Sequence, residues 1–217
     1  MYLRGENEKW GVYIRPVHKW NMIYTTDNCN IGGNIMSLLY SSKFIGQQSI
    51  SQSYCFQRLF SNNITLINAN NLILPAINLP NSVYLAMFFK CINLVNSPKV
   101  LPSEYLPPEA YAYMFEGCSN LITTPEIKIK RTHNNELVYT GLMYMFCQCY
   151  KINFIKCHLM KYDENILSNW LQNVSPTGTF LLPVDSTFAD DAPRNGNGIP
   201  EGWEIKYFNP ETDEIIN

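Results

Sequence analysis

The chain has 217 residues, of which 46% are hydrophobic, 13% aromatic and 16% charged, and its formal net charge is −2. That is enough chain to bury a core, too apolar for wholesale disorder, and too acidic overall to favour nucleic acid as a partner. No run of about 18 apolar residues is present, so no spanning helix and no membrane insertion are expected.

Residues 1–50 read as a small β-rich N-terminal cap. Strand-like pieces lie at Met1–Arg4, Val12–Arg15 and Met22–Thr25, and Gly32-Gly33 is a turn signal. Ile35, Leu38 and Leu39 then open an apolar segment able to pack on the chain beyond residue 50. The opening MYLRGEN lacks the basic, apolar and small-residue succession of a secretory signal. A start directly on strand-like residues suits a mature domain trimmed from a longer precursor. An extracellular or cell-surface location is therefore expected, with a virion as the alternative.

Residues 51–160 contain an internal repeat. FQRLFSNNITL from Phe56, YLAMFFKCINL from Tyr84, YAYMFEGCSNL from Tyr111 and LMYMFCQCYKI from Leu142 align on Phe60, Phe88, Phe115 and Phe146, at spacings of 28, 27 and 31. Three residues after each Phe stands Asn63, Cys91, Cys118 or Cys149, and six after stands Leu66, Leu94, Leu121 or Ile152. Apolar positions at 0, 3, 4 and 7, as in Tyr111, Met114, Phe115 and Cys118, predict one face of a two-turn helix. Twelve and fourteen residues after each Phe come Leu72/Leu74, Val100/Pro102, Ile127/Ile129 and His158/Met160, an alternation that predicts a short extended segment. So short a helix is not stable alone, so each unit is expected to cover its neighbour's apolar face, with the Phe residues in a ladder.

The same alignment explains the cysteines. Seven are present, and Cys91, Cys118 and Cys149 fall at one repeat position, where a small buried side chain is needed. Cys147-x-Cys149 with Cys157-His158 matches no common zinc spacing, so no metal is expected.

Residues 161–208 read as a mixed C-terminal cap. Ile166, Leu167, Trp170, Leu171 and Val174 suit a helix face, Phe180–Pro183 a strand, 185–197 a polar loop, and 199–208 a returning strand in which Trp203 plugs the last apolar face. The acidic tail 209–217 is expected to be mobile.

The signature Y-x-x-M-F-x-x-C-x-x-L, seen as YAYMFEGCSNL and YLAMFFKCINL, resembles BspA-type bacterial leucine-rich repeats, found in surface and secreted proteins of gut Bacteroides-like bacteria and in some of their phages. The MYLRGEN opening, GNIMSLL at Gly33–Leu39, Trp170, Val174, Gly178–Phe180 and Gly198–Trp203 extend the resemblance over residues 1–207. The fourth unit departs from it, with an insertion around Lys130–Glu136 and no matching proline. The resemblance implies an α/β leucine-rich-repeat solenoid of about four units between two caps, and a non-catalytic recognition or adhesion module with a protein or glycan partner and no cofactor.

The residues themselves offer little catalytic chemistry. No G-x-S-x-G elbow, H-E-x-x-H or phosphate loop occurs, and the histidines are His18, His133 and His158. His158 stands where the earlier repeats are apolar, so it reads as a packed side chain. Asp185, Asp190, Asp191 and Glu201 allow a small glycoside hydrolase or a calcium site as minor alternatives. Charge is uneven: residues 51–100 hold no Asp or Glu, whereas 158–217 hold ten acidic residues against three basic ones. Inserted loops carry specificity in repeat folds, so Lys130, Arg131, His133 and Tyr139 are the expected binding residues, joined by Tyr105 and, more weakly, Tyr111 and Tyr113. A phage tail-tip or fibre module for host attachment is the main alternative role.

Overall fold

A computed structural model describes residues 22–132 and 140–216; of Arg131 and Thr132 it describes the backbone. The pieces Met1–Arg4 and Val12–Arg15 lie outside these residues.

The α/β leucine-rich-repeat solenoid is not what forms. Helix accounts for only 6% of the described residues, and strands outweigh it. The helices are α1 (Ser37–Tyr40), α2 (Phe188–Asp191) and a 3-10 turn at Ser41–Lys43. β1 (Cys29–Asn34) pairs in parallel with β2 (Leu66–Ile73), β3 (Val100–Leu101) with β5 (Glu126–Ile127), and β4 (Tyr105–Leu106) with β6 (Arg131–Thr132). A curled four-stranded sheet closes the molecule in the order β10-β9-β8-β7. Its members are β7 (Phe154–Lys156), β8 (Gly178–Pro183), β9 (Trp203–Phe208) and β10 (Ile215–Ile216), all parallel except the β9/β10 hairpin. β8 is an inner strand, and its stretch 180–183 is apolar and buried, as a segment covered on both faces must be.

None of the four predicted repeat helices is present. Each segment is instead a run of four-residue turns, with a left-handed residue at every fourth position: Tyr54, Arg58 and Asn62; Ser82, Ala86 and Lys90; Glu109, Tyr113 and Gly117; Thr140, Tyr144 and Gln148. The backbone bonds alternate. The N–H groups of Phe56, Arg58, Phe60 and Asn62 donate to Val83, Leu85, Met87 and Phe89 carbonyls of the next unit, while those of Gln57, Leu59, Ser61 and Asn63 donate three residues back. A left-handed residue without glycine costs about 1–2 kcal/mol. That cost is offset because every amide of the run is bonded, half of them to a neighbouring unit. A four-residue period also places residues 0, 4 and 8 on one side, which is how the apolar spacing imitates a helix.

The units do stack. Phe60, Phe88, Phe115 and Phe146 form a parallel column with ring centroids 5.4, 5.2 and 5.5 Å apart, and all four are fully buried. A second column runs Phe56, Tyr84, Tyr111 at 5.8 and 5.7 Å. The thiols of Cys91, Cys118 and Cys149 donate to the Phe60, Phe88 and Phe115 carbonyls at 2.9, 3.0 and 3.0 Å. At this position in the first unit Asn63 donates to the Ile23 carbonyl at 3.2 Å and caps the column. All seven cysteines are free.

Two further expectations differ. The segment Ile166–Val174 is a fifth run of the same turns, not a helix. Asn169 and Asn173 are left-handed, and the Leu142, Tyr144, Phe146 and Gln148 amides bond to it. The 209–217 tail carries β10, paired with β9, and its Asp213 forms an ion pair with Lys156. Trp203 is buried, its indole N–H donating to the Ser175 carbonyl at 2.8 Å. Met22–Thr25 is not a strand, although Ile23 donates to the Leu59 carbonyl at 2.7 Å.

Candidate functional site

The sequence EIKIK at Glu126–Lys130 alternates strictly. Ile127 and Ile129 point inward and are fully buried, which leaves Glu126, Lys128 and Lys130 facing outward. On the next unit Ile155 and Cys157 are buried, and Cys157 bridges to Ile127. The His158 amide donates to the Ile127 carbonyl at 2.9 Å. This register sets Lys156 and His158 beside Glu126.

One carboxylate oxygen, Glu126 Oε1, collects three donors: Lys128 Nζ at 2.8 Å, His158 Nε2 at 2.9 Å and Lys156 Nζ at 3.0 Å. Burial pushes the Glu126 carboxyl up, but the bonds from Lys128, His158 and Lys156 outweigh it and hold the group down to about 2. Lys156 also pairs with Asp213 and lies over the Phe208 ring, 4.7 Å from its centroid. The His158 ring meets Phe208 edge-on at 4.9 Å. Burial is the main cause that lowers the His158 pKa, and the Lys128 and Lys156 charges act in the same direction against Glu126. With Nε2–H given to the carboxylate, Nδ1 carries the lone pair; it is buried and has no partner among the described residues.

Beside this cluster lies a cleft of about 250 Å³, lined by Lys130, His158, Met160, Pro183, Asp185 and Pro210. Lys130 reaches Glu104 Oε1 at 2.8 Å, and both side chains are largely exposed. Tyr105, 49% exposed, is the register partner of Arg131 in the β4/β6 ladder. The structure therefore brings Lys130, Arg131 and Tyr105 together at one edge. His133 and Tyr139 lie outside the described residues. Tyr111 is buried in the core column, and Tyr113 stacks on Tyr144 with centroids 5.2 Å apart on a different face of the repeat turns.

The carboxylates of the hydrolase alternative are not gathered. Asp185 lines the first cleft, and Glu201 lines a second of about 490 Å³ with Arg194 and the turns at 171–176 and 194–202. Asp190 and Asp191 sit on α2, so neither cleft is lined by two of these carboxylates. No group of three or more His, Cys, Asp or Glu among the described residues is placed to hold a metal. No hydroxyl or thiol among the described residues hydrogen-bonds His158, which is tied to Glu126 instead. Sequence reasoning does not single out Glu126, Lys156 or Asp213 as site residues; the alternation at 126–130 is the one signal that points to the first.

No helix among the described residues is long and apolar enough to cross a membrane. No protein-family model, curated protein or solved structure matches the chain.

Proposed function

We propose that the chain is a non-catalytic recognition module, engaging a protein or glycan surface through the edge formed by Tyr105, Lys130 and Arg131 and the adjoining cleft. The observation that carries this reading is the β4/β6 register, which makes the exposed Tyr105 the backbone pairing partner of Arg131, next to the Lys130–Glu104 pair. Aromatic and arginine side chains are enriched among residues that dominate binding surfaces. The cleft adds mixed charge through Lys130 and Asp185, which suits a polar partner of little net charge. The wiring of His158 to Glu126 supports a structural part for the histidine behind that edge.

The test is a glycan and extracellular-matrix protein array probed with the whole chain and with a Tyr105→Ala/Lys130→Ala double variant. Binding is expected to fall about tenfold or more in the variant. Unchanged binding, or no binding by the parent chain, overturns the assignment.

A further inference from the structure

β2 and β3 occupy equivalent places in successive units, since Leu72 follows Phe60 and Val100 follows Phe88 by the same twelve residues. No ladder joins them. The two units are bonded earlier, through the Ala69 amide to the Asn96 carbonyl and the Val95 amide to the Ile67 carbonyl, each 2.8 Å. Past Pro98 the later strand turns to β5 instead, where the Glu126 amide donates to the Lys99 carbonyl and the Lys128 amide to that of Leu101.

Parallel pairing alternates along a strand. Because Lys99 and Leu101 serve β5, the N–H and C=O of Val100 face the other way, toward β2. On β2 the Ile73 carbonyl accepts from the Ile35 amide, so Leu72 and Leu74 turn their amide groups toward β3. None of these three residues has a backbone partner across the gap among the described residues. The gap is a groove of about 370 Å³ with apolar walls from Leu72, Leu74, Pro75, Val100 and Pro102. Beyond it the units rejoin through Ser103 Oγ and the Ile77 carbonyl, 2.8 Å apart. Lys99 is the only charged residue lining the groove; it is exposed and has no ion pair among the described residues. The stretch 51–100 supplies no carboxylate to pair with it.

Unpaired backbone groups along an apolar trough are what an extended polypeptide completes by adding a strand, its alternate side chains filling the pocket. A lone cation at the rim adds complementarity to a carboxylate. We infer that this groove binds an extended peptide of alternating apolar and acidic residues, whose backbone pairs with Leu72, Leu74 and Val100 and whose carboxylate meets Lys99. The groove shares no residue with the Tyr105 edge, and the inference does not rest on the function proposed for that edge.

The test is fluorescence polarisation of the whole chain with labelled Val-Glu-Val-Glu-Val. Saturable binding is expected, weakened about tenfold by Lys99→Ala and by N-methylation of the peptide backbone. Lys99→Glu is expected to shift preference to Val-Lys-Val-Lys-Val. The Tyr105→Ala/Lys130→Ala variant is expected to bind like the parent, so the two proposals fail separately. No saturable binding up to about 1 mM, or binding indifferent to Lys99 or to N-methylation, overturns the inference.

Discussion

The rings of Tyr84 and Tyr111 lie nearly parallel with centroids 5.7 Å apart, and both hydroxyls are buried without a hydrogen-bond partner among the described residues. Burial pushes both phenols well above their ordinary range. A buried hydroxyl left unpaired costs about 1–3 kcal/mol, and phenylalanine already fills the equivalent place at Phe56. Tyr111→Phe is therefore expected to raise the unfolding free energy by about 1 kcal/mol in urea titration. A loss of stability would show that the hydroxyl has a partner.

In the four repeat units the left-handed position closing the turn run is Asn62, Lys90, Gly117 and Gln148 in turn. Only one of these is glycine. Gln148 is exposed, with φ of 62°, so Gln148→Gly relieves backbone strain and removes no core contact. It is expected to stabilise by about 0.5–1 kcal/mol, after the entropy glycine adds to the unfolded chain. Gly117→Ala, at φ of 73°, is expected to destabilise by a similar amount. Thermal unfolding of both variants checks the pair.

Glu126 and His158 set an acid-side limit on stability. The native carboxyl is held down to about 2 from its ordinary 4.5, so the unfolded chain binds the proton more readily and the stabilisation fades as pH falls from 4.5 toward 2. His158 is held below its ordinary 6.5, so its neutral form is favoured by folding and stability falls as pH drops below that value. Glu126→Gln removes the charged acceptor that Lys128, Lys156 and His158 share, and only Lys156 keeps another carboxylate, that of Asp213. It is expected to cost about 1–2 kcal/mol at neutral pH, discounted for partial exposure. The gap between variant and parent should close as the pH falls below 4.5, and a gap independent of pH would refute the assignment.

The repeat thiols should be inert while the chain is folded. Burial pushes the thiols of Cys55, Cys91 and Cys157 up to about 12 and that of Cys147 to about 11, and Cys118 and Cys149 are raised as well. Cys29 alone is half-buried. Titration with a disulfide reagent at about pH 8 should label one thiol rapidly and the other six only as the chain unfolds. Rapid labelling of Cys118 would place it outside the core column.

Much of this organisation is legible in the residues. The aligned Phe positions and the cysteine column follow from repetition alone, since side chains that recur at similar intervals must meet their counterparts once the units stack. Tyr105, Lys130 and Arg131 stand out in the sequence only as separate candidates, and the β4/β6 ladder joins them. Local spacing could not choose between a helix of 3.6 residues per turn and turns of four, because over seven residues both put positions 0, 3, 4 and 7 on the buried side. That choice was made between units: a carbonyl on the neighbouring segment bonds every second amide, which a helix would have kept for itself. The same holds for Glu126, whose three donors come from its own segment and the following unit and converge only through the bridge between Ile127 and Cys157. The β2–β3 groove likewise arises where prolines withhold strand pairing, a property of two segments twenty-eight residues apart and of neither alone.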